Sequence, residues 1–394
     1  MIRSLHVPRR GQAHWADQRV PFFFFPSTPN ADPFDSVNNE FGEAGRERKR
    51  RLERMSECVE LLFAAQHRVF LFAICIIGRR FRLIRWDRAG IIATHLTDYY
   101  KHSATLCDFL RRLSLLDDGS LGYDPTATRL LCRDPDFIRM DLAAALDDSD
   151  MDHSERQLDE GELNKPSIFR YVRSMFRGSL SSDWPRYRVR VPDGRTVREY
   201  LVGKPITRGS GVIGRGTRGY VALDCVTGYF VWLKDVWRAS AMVAEREGDI
   251  LRELNEASIQ HIPTLICHGD IEDQTTVSEL WWERQRATGP TVRRSPSTSL
   301  SSSPTSTSSS VSGRKRKRSD DPQNNDGRSG FNHGRALFAT ADSPCPLQRY
   351  THYRIVFEEV AMSLENFRCG KQLASIVMDC MCGKKDFIVE SLSR

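Results

Sequence analysis

Hydrophobic and polar positions along the chain change period several times, and each change marks an element. Leu52, Met55, Val59 and Leu62 recur at three- and four-residue intervals, the spacing of one helix face, so residues 50–66 are read as helical. Residues 69–77 are continuously apolar yet about half the length a membrane-spanning helix needs, so they are read as a buried strand. Two β-rich runs follow at residues 81–86 and 91–97, set off by Gly78 and Gly90, and helical spacing returns over residues 106–116. Residues 46–200 are therefore expected to form an α+β meander with a helix on one face. Further along, β-rich runs at 205–213, 220–225, 230–234, 277–282 and 353–358, with a helix over 242–255, predict an antiparallel sheet carrying one helix.

Composition changes this picture at three places. Residues 291–330 are dominated by Ser, Pro, Thr and Gly and cannot bury enough apolar surface to offset ordering entropy, so an insert at 286–345 is expected to be disordered. Within it Arg314, Lys315, Arg316, Lys317 and Arg318 fit a nuclear-import signal or a nucleic-acid patch, and equally a solvated linker. Residues 1–45 are also expected to be disordered; Phe22 to Phe25 lie between Pro21 and Pro26, which oppose regular structure. Residues 141–162 are acidic and polar and read as a mobile loop.

Charge and cysteine content exclude more than they assign. The net charge of +7 is modest, and the cluster Arg46, Arg48, Lys49, Arg50 and Arg51 reads as a charged helix start. Ten cysteines show no metal-ligand spacing, and Met1 opens no signal peptide, so an intracellular protein with reduced thiols is expected, cytoplasmic or nuclear and without a membrane segment. Asp87 and Arg88, after Trp86, read as a structural pair at a strand end.

The densest chemistry lies between residues 214 and 254. Gly214, Gly216 and Gly219 form a Gly-x-Gly-x-x-Gly run, which alone also marks dinucleotide-binding folds. Here it leads into two β-rich runs joined by Thr227-Gly228, a hairpin rather than a strand-to-helix turn. Glycines on such a hairpin let the backbone close over phosphates, and Val221 would present an apolar surface to a base. Lys234 ends Val231-Trp232-Leu233-Lys234, similar to the kinase Val-Ala-Ile-Lys, whose lysine contacts the α- and β-phosphates. Ile250, Leu251 and Leu254 make a helical apolar face starting just after Glu247, which could reach Lys234 as its ion-pair partner; Glu245, about 200° around the helix, competes. Taken singly, the glycines fit a flexible loop, Lys234 a strand-end lysine and Glu247 a solvated position; their order and spacing favour the phosphate reading.

These segments resemble the fungal-type protein kinase family, a kinase-like group with a long N-terminal extension. The likeness extends to Phe81-Arg82-Leu83-Ile84-Arg85-Trp86-Asp87-Arg88-Ala89-Gly90, Gly122-Tyr123-Asp124-Pro125, Tyr200-Leu201-Val202-Gly203-Lys204-Pro205, Lys234-Asp235-Val236-Trp237-Arg238, Leu265-Ile266-Cys267-His268-Gly269-Asp270 and His352-Tyr353-Arg354-Ile355-Val356. It implies an α+β fold in which the N-terminal meander domain precedes a kinase-like N-lobe, an antiparallel sheet plus an αC-like helix, at 201–285. It also implies ATP and magnesium as ligands, transfer to protein hydroxyls, and, in residues 346–394, a hinge whose Glu358 and Val360 would face the nucleotide with the glycines, Val221, Lys234 and Glu247.

The chain departs from the family pattern after the hinge. No His-Arg-Asp tripeptide occurs, and Asp386-Phe387 is followed by Ile388 rather than glycine. Beyond a short apolar helix expected over residues 373–381, most of the C-lobe is thus expected to be missing, whether from a truncated gene model or a shortened protein, and no catalytic or metal-binding residue can be named. Three expectations follow: a kinase that is catalytically incomplete, a non-catalytic nucleotide-binding pseudokinase or scaffold with a protein partner, and a basic nuclear protein binding nucleic acid. A sheet without its second lobe should also expose apolar surface, unless the N-terminal region covers it.

Overall fold

The computed structural model describes residues 14–28, 31–35, 42–151, 168–240, 245–288, 347–367 and 369–393. Residues 282–346 form a separate unit, described over 282–288, and residues 1–281 with 347–394 form the unit that carries both β-sheets. The Ser-rich tract with its basic run and the acidic residues 152–162 lie outside the described residues.

The first sheet comprises Phe22–Phe25 (β1), Phe70–Ile77 (β2), Arg80–Asp87 (β3), Ile91–Ala93 (β4) and Thr97–Asp98 (β5). Strands β2, β3 and β4 are the antiparallel meander read from the sequence, and β5 pairs the start of β3. Because strand side chains alternate, the sheet has two apolar faces. Helix Glu43–Ala65 (α1) covers one with Met55, Val59 and Leu62 against Ala73, Cys75 and Trp86. Helix Ser103–Leu115 (α2) covers the other with Phe109 and Leu113 against Ile74 and Leu83. Strand β1 corrects the expectation of irregular structure near residue 22: it pairs in parallel with β2, Phe22 opposite Ile74. Its flanking prolines lack only a donor, and the Pro21 carbonyl accepts from the Ile74 N–H at 3.1 Å.

The second sheet contains Ala127–Arg129 (β6), Tyr187–Asp193 (β7), Thr196–Val202 (β8), Thr207–Arg208 (β9), Arg218–Asp224 (β10), Phe230–Ala239 (β11), Leu265–Thr275 (β12) and Tyr350–Phe357 (β13). Its order is β12-β13-β11-β10-β8-β7-β6, with β9 also beside β10. Three of its strands lie before or across residue 200, so the division expected there falls inside the sheet. The run 205–213, read as a strand, supplies the two residues of β9. The sheet curls until Pro192 of β7 meets Gly269 of β12, where a Cβ would come within 2.6 Å of the proline ring. Val189, Val191, Tyr200, Ala222, Leu233 and Val356 fill the inner face.

The outer face is covered, as the alternative to exposed apolar surface required. Helices Pro135–Ala143 (α3) and Arg170–Ser179 (α4) set Met140, Val172 and Phe176 against Leu201, Val221, Leu223 and Phe230. The stretch expected to be a mobile loop therefore begins inside α3, and Asp150 is held by a buried two-point ion pair with Arg173. Helix Glu247–Glu256 (α5) sets Leu251 beside Val236, Ile355 and Phe357. Residues 277–282, read as a strand, instead open helix Ser278–Thr288 (α6). Asp87 decides this: its carboxylate accepts from the amides of Val277 and Ser278 at 3.0 and 3.1 Å, a cap supplied from another element. Asp87 also pairs with Arg85 at 2.8 Å rather than with Arg88. Helix Gly370–Ser393 (α7) follows β13, longer than the short helix expected there. Among the described residues no helix is long and apolar enough to cross a membrane.

At one end of the inner face, charges replace apolar packing. Asp235 on β11 accepts from Arg218 at 3.1 Å and Arg354 at 3.0 Å, and lies 3.0 Å from His352 Nε2. Arg354 also reaches Asp124, Thr126 and the Arg190 carbonyl, tying the loop before β6 into the sheet. Burial would raise the Asp235 carboxyl, yet the guanidinium of Arg218, with His352 and Arg354, overrides it and holds the group well below the usual carboxylate range. Burial, and then the Arg218 charge, likewise depress the neighbouring His67 imidazole well below its ordinary value.

Candidate functional site

Strand alternation separates this cluster from the chemistry on the other side of β11. Asp235 points inward, so Lys234 points outward, opposite Gly219 of β10 and Ile355 of β13. Lys234 Nζ donates to both carboxylate oxygens of Glu247, at 2.8 and 2.6 Å. Both side chains keep partial access to solvent, 24 % and 38 %, so the pair adds about 0–1 kcal/mol to stability. Glu245, the competing partner, lies exposed before the helix begins.

Glu247 reaches Lys234 because α5 comes unusually close to the sheet at the next residue. A Cβ at Gly248 would come within 2.1 Å of the His268 ring, and the Gly248 N–H donates to Tyr353 Oη at 2.9 Å. Arg252 holds His268 from the other side, 2.7 Å from Nε2. Gly248 was not singled out in the sequence, where a glycine in the first helical turn carries no evident signal; the close approach of α5 to His268 and Tyr353, distant in the chain, makes it necessary.

The glycine loop, residues 209–217, adopts a different arrangement from an open cover over phosphates. Val212 is buried in the core of the first sheet with Trp86 and Phe63. Arg88 donates to the carbonyls of Gly211 and Val212 at 3.3 and 2.9 Å, and its own carbonyl accepts from the Gly214 N–H at 2.8 Å. Its guanidinium lies 4.7 Å from the Phe63 ring centroid and against Gly216, where a Cβ would meet it at 2.5 Å. Gly214 and Gly216 have φ of 108° and 48°, conformations that other residues rarely adopt. Arg88, read as half of a structural pair, is thus the anchor of the loop.

The surface expected to receive a base is filled by the chain itself. Val221 is 1 % exposed, packed beneath α4. Phe176 lies 4.9 Å from Phe230, centroid to centroid. The Trp232 ring lies on Gly219: a Cβ there would come within 2.4 Å of Cζ2. The substitution of tryptophan for the alanine of Val-Ala-Ile-Lys was the visible sign of this. In the segment after β13, expected to be a hinge, Val360 is buried and its carbonyl accepts from Tyr171 Oη at 2.6 Å, a contact with nothing in the local sequence to announce it. Glu358 is exposed, and its N–H donates to the Thr264 carbonyl at 2.9 Å.

The expected site residues therefore lie in different surroundings: Lys234 pairs with Glu247, Gly214 and Gly216 are held at Arg88, Glu358 is exposed, and Gly219, Val221 and Val360 lie under the chain's own side chains. Among the described residues no three His, Cys, Asp or Glu side chains are placed to hold a metal ion. No curated protein and no solved structure matches the chain. The sequence model of the family described as fungal protein kinase does, over residues 36–391. With that match across nearly the whole length, the chain belongs to the fungal protein kinase family.

Proposed function

We propose that this kinase-like chain is a nucleoside-triphosphate-binding unit in which Lys234, aimed by Glu247, neutralises phosphate charge. The observation that carries the reading is the two-point ion pair at 2.6 and 2.8 Å on a strand directly opposite the third glycine. A lysine so held is a point charge with fixed direction, as phosphate binding requires. ATP with magnesium is the ligand that family membership suggests. Phosphoryl transfer further needs a group that orients the acceptor hydroxyl and carboxylates that hold the metal. The residues named here supply neither, so the activity proposed for this chain alone is binding without transfer, in the manner of a pseudokinase.

The test is calorimetric titration with ATP in the presence and absence of magnesium, alongside incubation with γ-labelled ATP and a generic protein acceptor. Binding that falls at least tenfold in Lys234→Met, with no labelled product, is the expected outcome. Transfer of label by the purified chain, abolished in Lys234→Met, would overturn the non-catalytic part; binding indifferent to Lys234 would overturn the site.

A further inference from the structure

We infer that α4 and Trp232 form an intramolecular plug that holds the base end of the proposed nucleotide site shut, so that nucleotide binding requires α4 to leave the outer face of the second sheet. This rests on the nucleotide-binding reading above and adds its regulation.

Three contacts support it, two from α4 and one from β11. Tyr171, in the first turn of α4, donates its hydroxyl to the Val360 carbonyl at 2.6 Å, taking the acceptor that the hinge region would offer to a base. Phe176, one and a half turns further on, stacks obliquely on Phe230 and packs with Val221 and Leu223, filling apolar surface on the same face as Lys234. Trp232 lies on Gly219, the residue opposite Lys234. An aromatic hydroxyl on the hinge carbonyl, two aromatic rings on the sheet and a lysine left part-exposed at the end together have the chemical outline of a bound nucleoside with its phosphate end empty.

Helix α4 is short, Arg170–Ser179: Arg173 bonds Asp150 and the Ala143 carbonyl, Arg177 bonds the Ala144 carbonyl, and on the sheet side the Ser179 carbonyl accepts from the Lys204 N–H at 2.8 Å while Val172 and Phe176 pack on the strands. Because α4 belongs to no strand pairing, its departure breaks the Tyr171 and Ser179 hydrogen bonds and the packing of Val172 and Phe176 while the ladder of the sheet stays intact. Occlusion of this kind lowers apparent affinity by the fraction of molecules in the open form, so each contact removed from the closed form tightens binding.

The experiment compares ATP binding by the full chain with Tyr171→Phe, which deletes one hydrogen bond and keeps the ring, and with Trp232→Ala, which uncovers Gly219. Tyr171→Phe should bind about fivefold more tightly, the equivalent of one net hydrogen bond, and Trp232→Ala more tightly still. Hydrogen exchange supplies a readout independent of affinity: saturating ATP should speed amide exchange across residues 170–179 in the wild-type chain while slowing it around Lys234. Equal affinity of wild type and both variants, with α4 exchange unchanged by ATP, would overturn the plug and leave the nucleotide site standing. Absence of ATP binding from all three folded chains would overturn the nucleotide reading and the plug with it.

Discussion

Replacing Asp235 by asparagine tests how much the buried charge cluster on the inner face of the second sheet contributes to stability. Asp235 is fully buried and faces Arg218, Arg354 and His352, with its negative charge and that of Asp124 balancing two guanidinium groups. Asparagine keeps the shape but removes one charge, leaving a net positive cluster with no water to solvate it. Its amide nitrogen would also point a donor at donors. Removing one partner of a buried ion pair costs about 3–5 kcal/mol, a large share of the roughly 5–15 kcal/mol that stabilises a domain. At about 2 °C per kcal/mol for a unit of this size, Tm should fall by about 6–10 °C. The assay is thermal and urea unfolding of wild type, Asp235→Asn, Arg218→Met and the double variant. The double variant restores neutrality, so it should be less destabilised than the sum of the singles by about 1–3 kcal/mol. A loss under about 2 °C for Asp235→Asn, or strict additivity, would show that the cluster is solvated or pliable and refute the reasoning.

Two other outcomes follow from the same geometry. Stability should fall on acidification: His67 and Asp235 both have folded-state pKa values below their unfolded ones, so the unfolded chain binds more protons, and stability is present at higher pH and lost as pH falls. The loss should begin below about pH 6.5 through His67 and steepen below about pH 4 through Asp235; a urea midpoint that is flat from pH 7.5 to 4.5 would contradict it. Gly219→Ala places a methyl within 2.4 Å of Trp232 and 2.5 Å of Thr207 Oγ1, so it should cost about 1–3 kcal/mol in urea unfolding. Removing the ring by Trp232→Ala should cut that penalty, and an unchanged penalty would show that Trp232 is not what occupies the space over Gly219.

Much of this protein was written in local patterns. The continuous apolar run at 69–77 becomes β2, the spacing of Leu52, Met55, Val59 and Leu62 becomes the buried face of α1, and the glycine run does lead into a hairpin whose last strand carries Lys234. These rest on interactions between residues near in sequence or on burial of one face, which periodicity records. The choice of Glu247 over Glu245 was legible for the same reason, because it follows from where a helical apolar face begins.

What the tertiary structure decided are contacts between residues far apart in the chain. Asp87 turns residues 277–282 into a helix by capping amides 190 residues away, Arg88 captures the glycine loop, and Tyr171 reaches the Val360 carbonyl across 189 positions. No local signal marks such partners, since a buried carboxylate, guanidinium or hydroxyl takes whatever complementary group the fold brings to it. The same holds for the site. Sequence alone pointed to Lys234, Glu247 and the glycines before them; what surrounds them was settled by side chains from elements that sequence places elsewhere.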